Sequence, residues 1–300
     1  MIENGALLGK IKFKNSHHMQ KMIIYTSEHL RTTKNTTCVA EAIHNALVSL
    51  KIEHRELKYT NDYWCRDYMP VMIFDDGVYS KYHYKPDYLI ENEKYHSYIT
   101  NQDDACRDLN LFTPTNMNII FDGGNYVRCG SKVIMTDKIF MENPAWPLLD
   151  LCRHLQESLC AEIIIIPWDM REKCGHADGM VTYLGGDKVL LNNSWNKAFR
   201  KRLLKILDPH FEVVELEYNC KEDKNSWCYL NYLRLPNAIL LPCLSENIDC
   251  ENDIAAIETF DNLFPNLKIV PIYSKPLINK GGALHCVTWE YIENIERSLL

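Results

Sequence analysis

One pattern constrains this chain more than any other. Two short strands, an amphipathic helix and a further strand recur about every 60 residues, filling 300 residues five times. In "NIIFDGGNYVRCGSKVIMTD" (118–137) two strands flank a tight turn at Cys129-Gly130-Ser131. The helix "ENPAWPLLDLCRHLQESLC" and the strand "AEIIIIPW" follow. The order returns in "DGMVTYLGGDKVLLNN" (178–193), "NKAFRKRLLKILD" and "FEVVELEY". It returns again in "WCYLNYLRLPNAILLPCL", "ENDIAAIETFDNLF" and "LKIVPIY". Nearer the start, "KMIIYTSEHL", "TTCVAEAIHNALVSLKI" and "HRELKYT" give a strand, a helix and a strand, before a hairpin turning at Asp76-Gly77. The fifth copy is split between the chain ends and begins at "ALHCVTW" (283–289). One unit cannot cover its own apolar face, whereas several arranged around an axis can. The expectation is an α/β propeller of five pseudo-symmetric ββαβ blades. An ordinary α/β domain with coincidental spacing is the competing reading.

Composition narrows the class. At 46% hydrophobic and 24% charged residues, with a net charge of −7, the chain has the make-up of a globular protein. It lacks the Lys/Arg clusters of a nucleic-acid binder. No run reaches the roughly 18 apolar residues of a membrane helix. The first twenty residues lack the layout of a secretory signal, so a cytoplasmic location with reduced thiols is expected. The twelve cysteines form no C-x-x-C pair, so no structural zinc site is expected. No phosphate-binding glycine motif occurs.

The segments at the hairpin starts carry the chemistry. They read "WCRDY" (64–68), "FDGGN" (121–125), "CGHADG" (174–179), "YLNY" (229–232) and "ALHC" (283–286). If the copies are related by rotation, these segments meet at one end of the axis. Asp67, Asp122, His176, Asp178, Asn231 and Cys286 would then converge. Cysteine with histidine suggests covalent catalysis. Carboxylates beside the reacting group would repel an oxyanion but suit a cation. A guanidinium is planar and offers N–H donors that match carboxylates edge to edge. Asp67 and Asp178 on opposite edges would present its central carbon to Cys286, and its charge would favour the thiolate.

At these residues the chain resembles a known family. "NDYWCRDYMP" is similar to the N-D-x-W-x-R-D-x-G-P signature of agmatine deiminases. "DGGN", "GHADG" and "GGALHC" resemble their E-G-G, G-H-x-D and G-G-G-x-H-C segments, in the same order. The wider group, the guanidino-modifying enzymes of the pentein fold, includes peptidylarginine deiminase, arginine deiminase and amidinotransferases. The likeness runs from about residue 20 to 290. It implies a single pentein catalytic domain over residues 1–300, with Cys286 as nucleophile and His176 as general acid and base. It further implies Asp67 and Asp178 as the guanidinium clamp, Asp122 as the holder of His176, Trp64 as a shelf for the substrate and Asn231 as a polar residue near the reacting centre. The chain departs from the pattern at Asp122, where the family carries Glu, and at Met69, where it carries Gly.

The implied reaction is hydrolytic deimination, with agmatine as the first substrate choice and no metal or organic cofactor. Asp169 and Glu172 are candidates to receive the substrate's distal amine. Peptidylarginine deimination, amidino transfer and catalytically silent guanidine binding are the alternatives. The resemblance allows two copies to pair as a homodimer, with no seam in the sequence to mark it. His285 is expected to point away from the site by strand alternation. Residues 1–19 and the polar span 85–110 have no counterpart in the repeat, and the latter is a candidate lid or insertion.

Overall fold

The computed structural model describes residues 19–192, 195–216 and 226–295. Its strands form five separate three-stranded sheets. The chain enters with β1 (Met19–Ser27), crosses over the helix Thr37–Ser49, and returns as β2 (Glu53–Leu57), parallel to β1. Four complete blades follow. They are β3–β4–β5 (Val71–Phe74, Val78–His83, Phe112–Ile120), β6–β7–β8 (Val127–Cys129, Lys132–Thr136, Glu162–Ile166), β9–β10–β11 (Val181–Gly185, Lys188–Asn192, Glu212–Leu216) and β12–β13–β14 (Leu233–Arg234, Ala238–Cys243, Lys268–Tyr273). β15 (Trp289–Ile295) then runs antiparallel to β1, pairing Tyr291 with Ile23, and completes the first blade. In every blade the first strand is antiparallel to the middle strand and the third is parallel to it.

Five apolar cores show that the blades close into a ring, because each core is shared by two successive blades. Ile23 and Tyr25 of β1 pack with Tyr79 of β4, while Ile24 faces the other way and packs with Leu240 of β13. Val133 and Met135 of β7 join the core of the second blade, and Ile134 joins that of the fourth. Val189 and Leu191 pack backward and Leu190 forward; Ile239 and Leu241 pack backward and Ala238 and Leu240 forward. The middle strands β7, β10 and β13 are therefore apolar on both faces, which is why they read as continuous hydrophobic runs. The helices Leu148–Leu159, Lys197–Leu207 and Glu251–Leu263 each seal one junction with an amphipathic face. The hairpins turn where glycine was expected to allow it. Gly130 and Gly186 take φ of 61° and 59°, a left-handed conformation that costs a side-chain-bearing residue energy.

The span 85–110 differs from expectation. It occupies the crossover position between the parallel strands β4 and β5, so it does have a repeat counterpart. Its polar sequence breaks the helix into three short turns, Asp87–Ile90, Glu93–Tyr98 and Gln102–Ala105. The residues expected to form an N-terminal extension lie, except Met19, outside the described residues.

Ring closure rests on β15. Trp289 is buried between Tyr25 and Tyr79, and its indole N–H donates to the Pro70 carbonyl at 2.8 Å. Trp289→Ala is expected to cost about 3–5 kcal/mol, read as a lower midpoint in urea unfolding. An unchanged midpoint would contradict the closure described.

Candidate active site

The segment before the first strand of each blade turns inward at one end of the ring. Cys65–Tyr68, Gly123–Asn125, Ala177–Gly179 and Ser226–Leu230 form short helical turns, each in contact with the next. The fifth segment, residues 283–286, links the two ends. The Arg66 amide donates to the Cys286 carbonyl at 3.1 Å, and the His285 amide donates to the Asn231 carbonyl at 3.0 Å. Asp67, Asp122, Asp178, Asn231 and Cys286 are all buried here, with His176 among them.

His176 sits between two carboxylates. Its Nε2 lies 3.1 Å from Asp122 Oδ2, so the shorter aspartate does reach the ring. Its Nδ1 lies 3.6 Å from Asp67 Oδ1, close enough for attraction but too far for a hydrogen bond. Asp67 Oδ1 accepts the Gly124 amide at 3.2 Å. Glycine is required at this point. A Cβ at position 124 would overlap His176 Nδ1 and come within 2.8 Å of Asp67 Oδ1. The loop before His176 is organised by Glu172, whose carboxylate accepts the amides of Cys174, Gly175 and His176.

Cys286 Sγ lies 3.7 Å from Asp178 Oδ2. The same oxygen accepts from Asn231 Nδ2 at 3.1 Å and from His285 Nδ1 at 2.7 Å. Asn231 Oδ1 accepts the amides of Ala283 and Cys286 at 3.1 and 3.2 Å. One side-chain amide thus ties Asp178 to the turn that carries the thiol. Below them, Arg66 and Glu290 form a partly buried ion pair at 2.5 Å, and Arg66 Nε donates to the His285 carbonyl.

The electrostatics follow from burial and excess negative charge. Burial raises the Asp67 carboxyl above the usual range, and Asp122 and Asp178 add to the rise against the pull of His176. Burial raises Asp178 less than its bond to His285, with the charges of His285, His176 and Arg66, lowers it, so it stays below the usual range. Burial alone would lower His176, but Asp67 and then Asp122 reverse this and raise it. Burial, then Asp178 and Asp67, hold the Cys286 thiol well above its ordinary value. Asp67 and Asp178 therefore differ in protonation behaviour, and burial beside carboxylates favours the thiol form of Cys286.

The other expected residues lie as follows. Trp64 packs on the backbone of Gly282, in the approach to the Cys286 turn, where any Cβ would overlap its ring. Asp169 is taken up by Arg171 and by the Trp195 indole N–H, the latter at 2.8 Å, and no contact brings it to the cluster. Glu172 is occupied with backbone amides. His285 is a correction: it faces Asp178. Alternation failed because the strand starts only at Trp289, and residues 284–287 form a turn. Sequence reasoning also passed over Lys138. This buried lysine bridges Glu142 and Asp87 at 2.8 and 2.9 Å, anchoring the crossover 85–110. The anchor sets the Tyr88 ring edge-on to His176, 6.3 Å away. The lone acidic flank of "KPDYLI" gave no signal for that docking.

A closed five-sheet ring with cysteine, histidine and carboxylates at one end of its axis is the pentein fold. The sequence model of the Porphyromonas-type peptidyl-arginine deiminases matches residues 11–291, and the chain belongs to that family. The structure of Enterococcus faecalis agmatine deiminase superposes with a TM-score of 0.68 at 18% identity, covering 91% of this chain and 93% of that one. C. jejuni agmatine deiminase superposes with a TM-score of 0.66 at 14% identity, covering 94% and 100%. A Lactococcus lactis protein bearing the provisional name agmatine deiminase is 21% identical over 213 residues, 57% of this chain and 57% of its own length.

Gly124→Ala tests the close approach. Loss of the His176–Asp67 geometry is expected to reduce turnover on a guanidino substrate by about 100-fold, the cost of a small misplacement, with unchanged circular dichroism. Near-native turnover would show that the contact does not matter.

Proposed function

We propose that the chain hydrolytically deiminates a small free guanidine, with agmatine as the preferred substrate, giving N-carbamoylputrescine and ammonia. The observation that carries this reading is the surround of Cys286: a buried thiol 3.7 Å from Asp178, with Asp67, Asp122 and His176 in the same buried cluster. A negative, desolvated cage around a nucleophile suits a cationic electrophile. The choice of agmatine rests on the motif likeness and on the names of the relatives, since Asp169 and Glu172 have partners within the chain.

Entry of a guanidinium between Asp67 and Asp178 supplies the positive charge the cage lacks. That charge lowers the cost of ionising Cys286, whose proton leaves to solvent. The thiolate adds to the guanidinium carbon. The carbon–nitrogen bond then breaks as protonated His176 gives its proton to the departing ammonia, leaving a cationic thiouronium on Cys286. His176, neutral and oriented by Asp122 through Nε2, takes a proton from water through Nδ1 as the water oxygen adds to carbon. The carbon–sulfur bond breaks, the thiolate returns, and the remaining hydroxyl proton passes to solvent. The products are a substituted urea and ammonia.

Ammonia release from agmatine, arginine, methylated arginines and a blocked arginine peptide, with Cys286→Ser alongside, tests the reading. Release from agmatine that Cys286→Ser abolishes is expected. Preference for the blocked peptide would move the reading to protein citrullination, and silence throughout would overturn it. The pH profile of kcat/KM has a defined sign. Raised Asp67 must ionise to bind a cation, so the acid limb lies above the ordinary carboxylate range. Raised His176 must be protonated to release ammonia, so the alkaline limb lies above the ordinary histidine value of 6.5. An alkaline limb below 6.5 would contradict the role given to His176.

A further inference from the structure

Asp178 Oδ2 is a shared acceptor. It takes the Nδ2–H of Asn231 at 3.1 Å and the Nδ1–H of His285 at 2.7 Å, and it lies 3.7 Å from Cys286 Sγ. Oδ1 has no hydrogen-bond partner among the described residues. His285 is itself held on both sides, its amide on the Asn231 carbonyl and its carbonyl under Arg66 Nε at 3.3 Å. The backbone of His285 is therefore fixed within the turn that carries Cys286, and its imidazole is held by the bond to Asp178. Its hydrogen bond is the shortest that Asp178 makes.

Resting on the deiminase reading above, we propose that His285 is a positioning residue that pins Asp178 through Oδ2 to the Cys286 turn, so that Oδ1 is the oxygen offered to the substrate guanidinium. His285 thereby separates two duties of one carboxylate. One oxygen is kept to organise the turn, and the other is kept for the cation. Without the imidazole, Asp178 keeps only the longer bond from Asn231 and is less firmly held. Its clamp geometry is then lost, and its charge reaches the sulfur without the donor that offsets it. The charged groups facing His285 are Asp178, Arg66 and Glu290, and those facing the sulfur are Asp178 and Asp67.

His285→Asn and His285→Leu separate this role from mere packing. Asn carries an N–H at the same distance from the backbone as His Nδ1, whereas Leu fills similar space without a donor. His285→Leu is expected to raise KM for the guanidino substrate roughly tenfold or more, the usual consequence of losing a hydrogen bond to a charged group. Its kcat should fall by a smaller factor, and His285→Asn should restore most of the lost affinity. A second readout does not depend on turnover: iodoacetamide labelling of Cys286 against pH, followed by peptide mass mapping. Its midpoint should move to higher pH in His285→Leu, with His285→Asn between that variant and the wild type. Leu and Asn variants that behave alike, or a Leu variant with wild-type KM and labelling midpoint, would overturn the proposal. If the wild-type chain released ammonia from no guanidine, the deiminase reading would fall, and the labelling midpoints alone would decide the role of His285.

Discussion

Three buried aspartates face one half-buried histidine and one buried thiol at the end of the ring. Everything else at this end depends on that imbalance. Burying a charge without a partner is expensive, so each carboxylate is either paired or pushed toward neutrality. Asp122 has His176, Asp178 has His285 and Asn231, and Asp67, held by one backbone amide and a distant imidazole nitrogen, is pushed up. On the function proposed above, a guanidinium brings the missing positive charge. Affinity and activation would then have the same source, because the cation that satisfies Asp67 would also stabilise the Cys286 thiolate.

The fold makes this imbalance sustainable. Residues meet at the axis from segments more than two hundred positions apart, and none of those segments can relax alone. Each is continuous with the first strand of a blade whose middle strand is gripped by two cores. The Arg66–Glu290 pair joins the second blade to the first beneath the thiol, and Asn231 joins the fifth to the Cys286 turn. Strain at the site is spread over the ring rather than carried by one loop. Lys138 extends the same logic outward. Its buried side chain joins the enclosed Glu142 to the exposed Asp87, and so fixes the irregular crossover that sets Tyr88 beside His176.

Much of this was legible in the sequence because each blade repeats one pattern. Middle strands such as "KVIMT" and "AILLPC" are apolar on both faces, and glycines punctuate the hairpins, so blade number and order could be read directly. The split first blade was visible because "ALHCVTW" opens like the other hairpins. The convergence of Asp67, Asp122, His176, Asp178, Asn231 and Cys286 followed from rotation alone. What could not be read depended on local departures from the repeat. His285 was assigned by alternation, which holds only within a strand, and the strand begins four residues later. The crossover 85–110 was set aside because its polar, broken helix has no periodic signature. Asp169 resembled a free acid in the sequence, yet it pairs with Arg171 two residues on and with the Trp195 indole, which the fold brings from a separate segment.

The claim that a cation activates this thiol can be tested by comparing two alkylating agents of similar size, one charged and one neutral. The rates at which chloroacetamidine and chloroacetamide modify Cys286 should be measured at one pH by peptide mass mapping. The amidine is planar and positive, like the proposed substrate, and is expected to react faster by about a hundredfold or more. That is the size of effect two carboxylates exert on a desolvated charged partner. The advantage should disappear in Asp178→Asn. Equal rates in the wild-type protein would mean that the buried carboxylates do not select a cation, and would contradict the mechanism drawn from them.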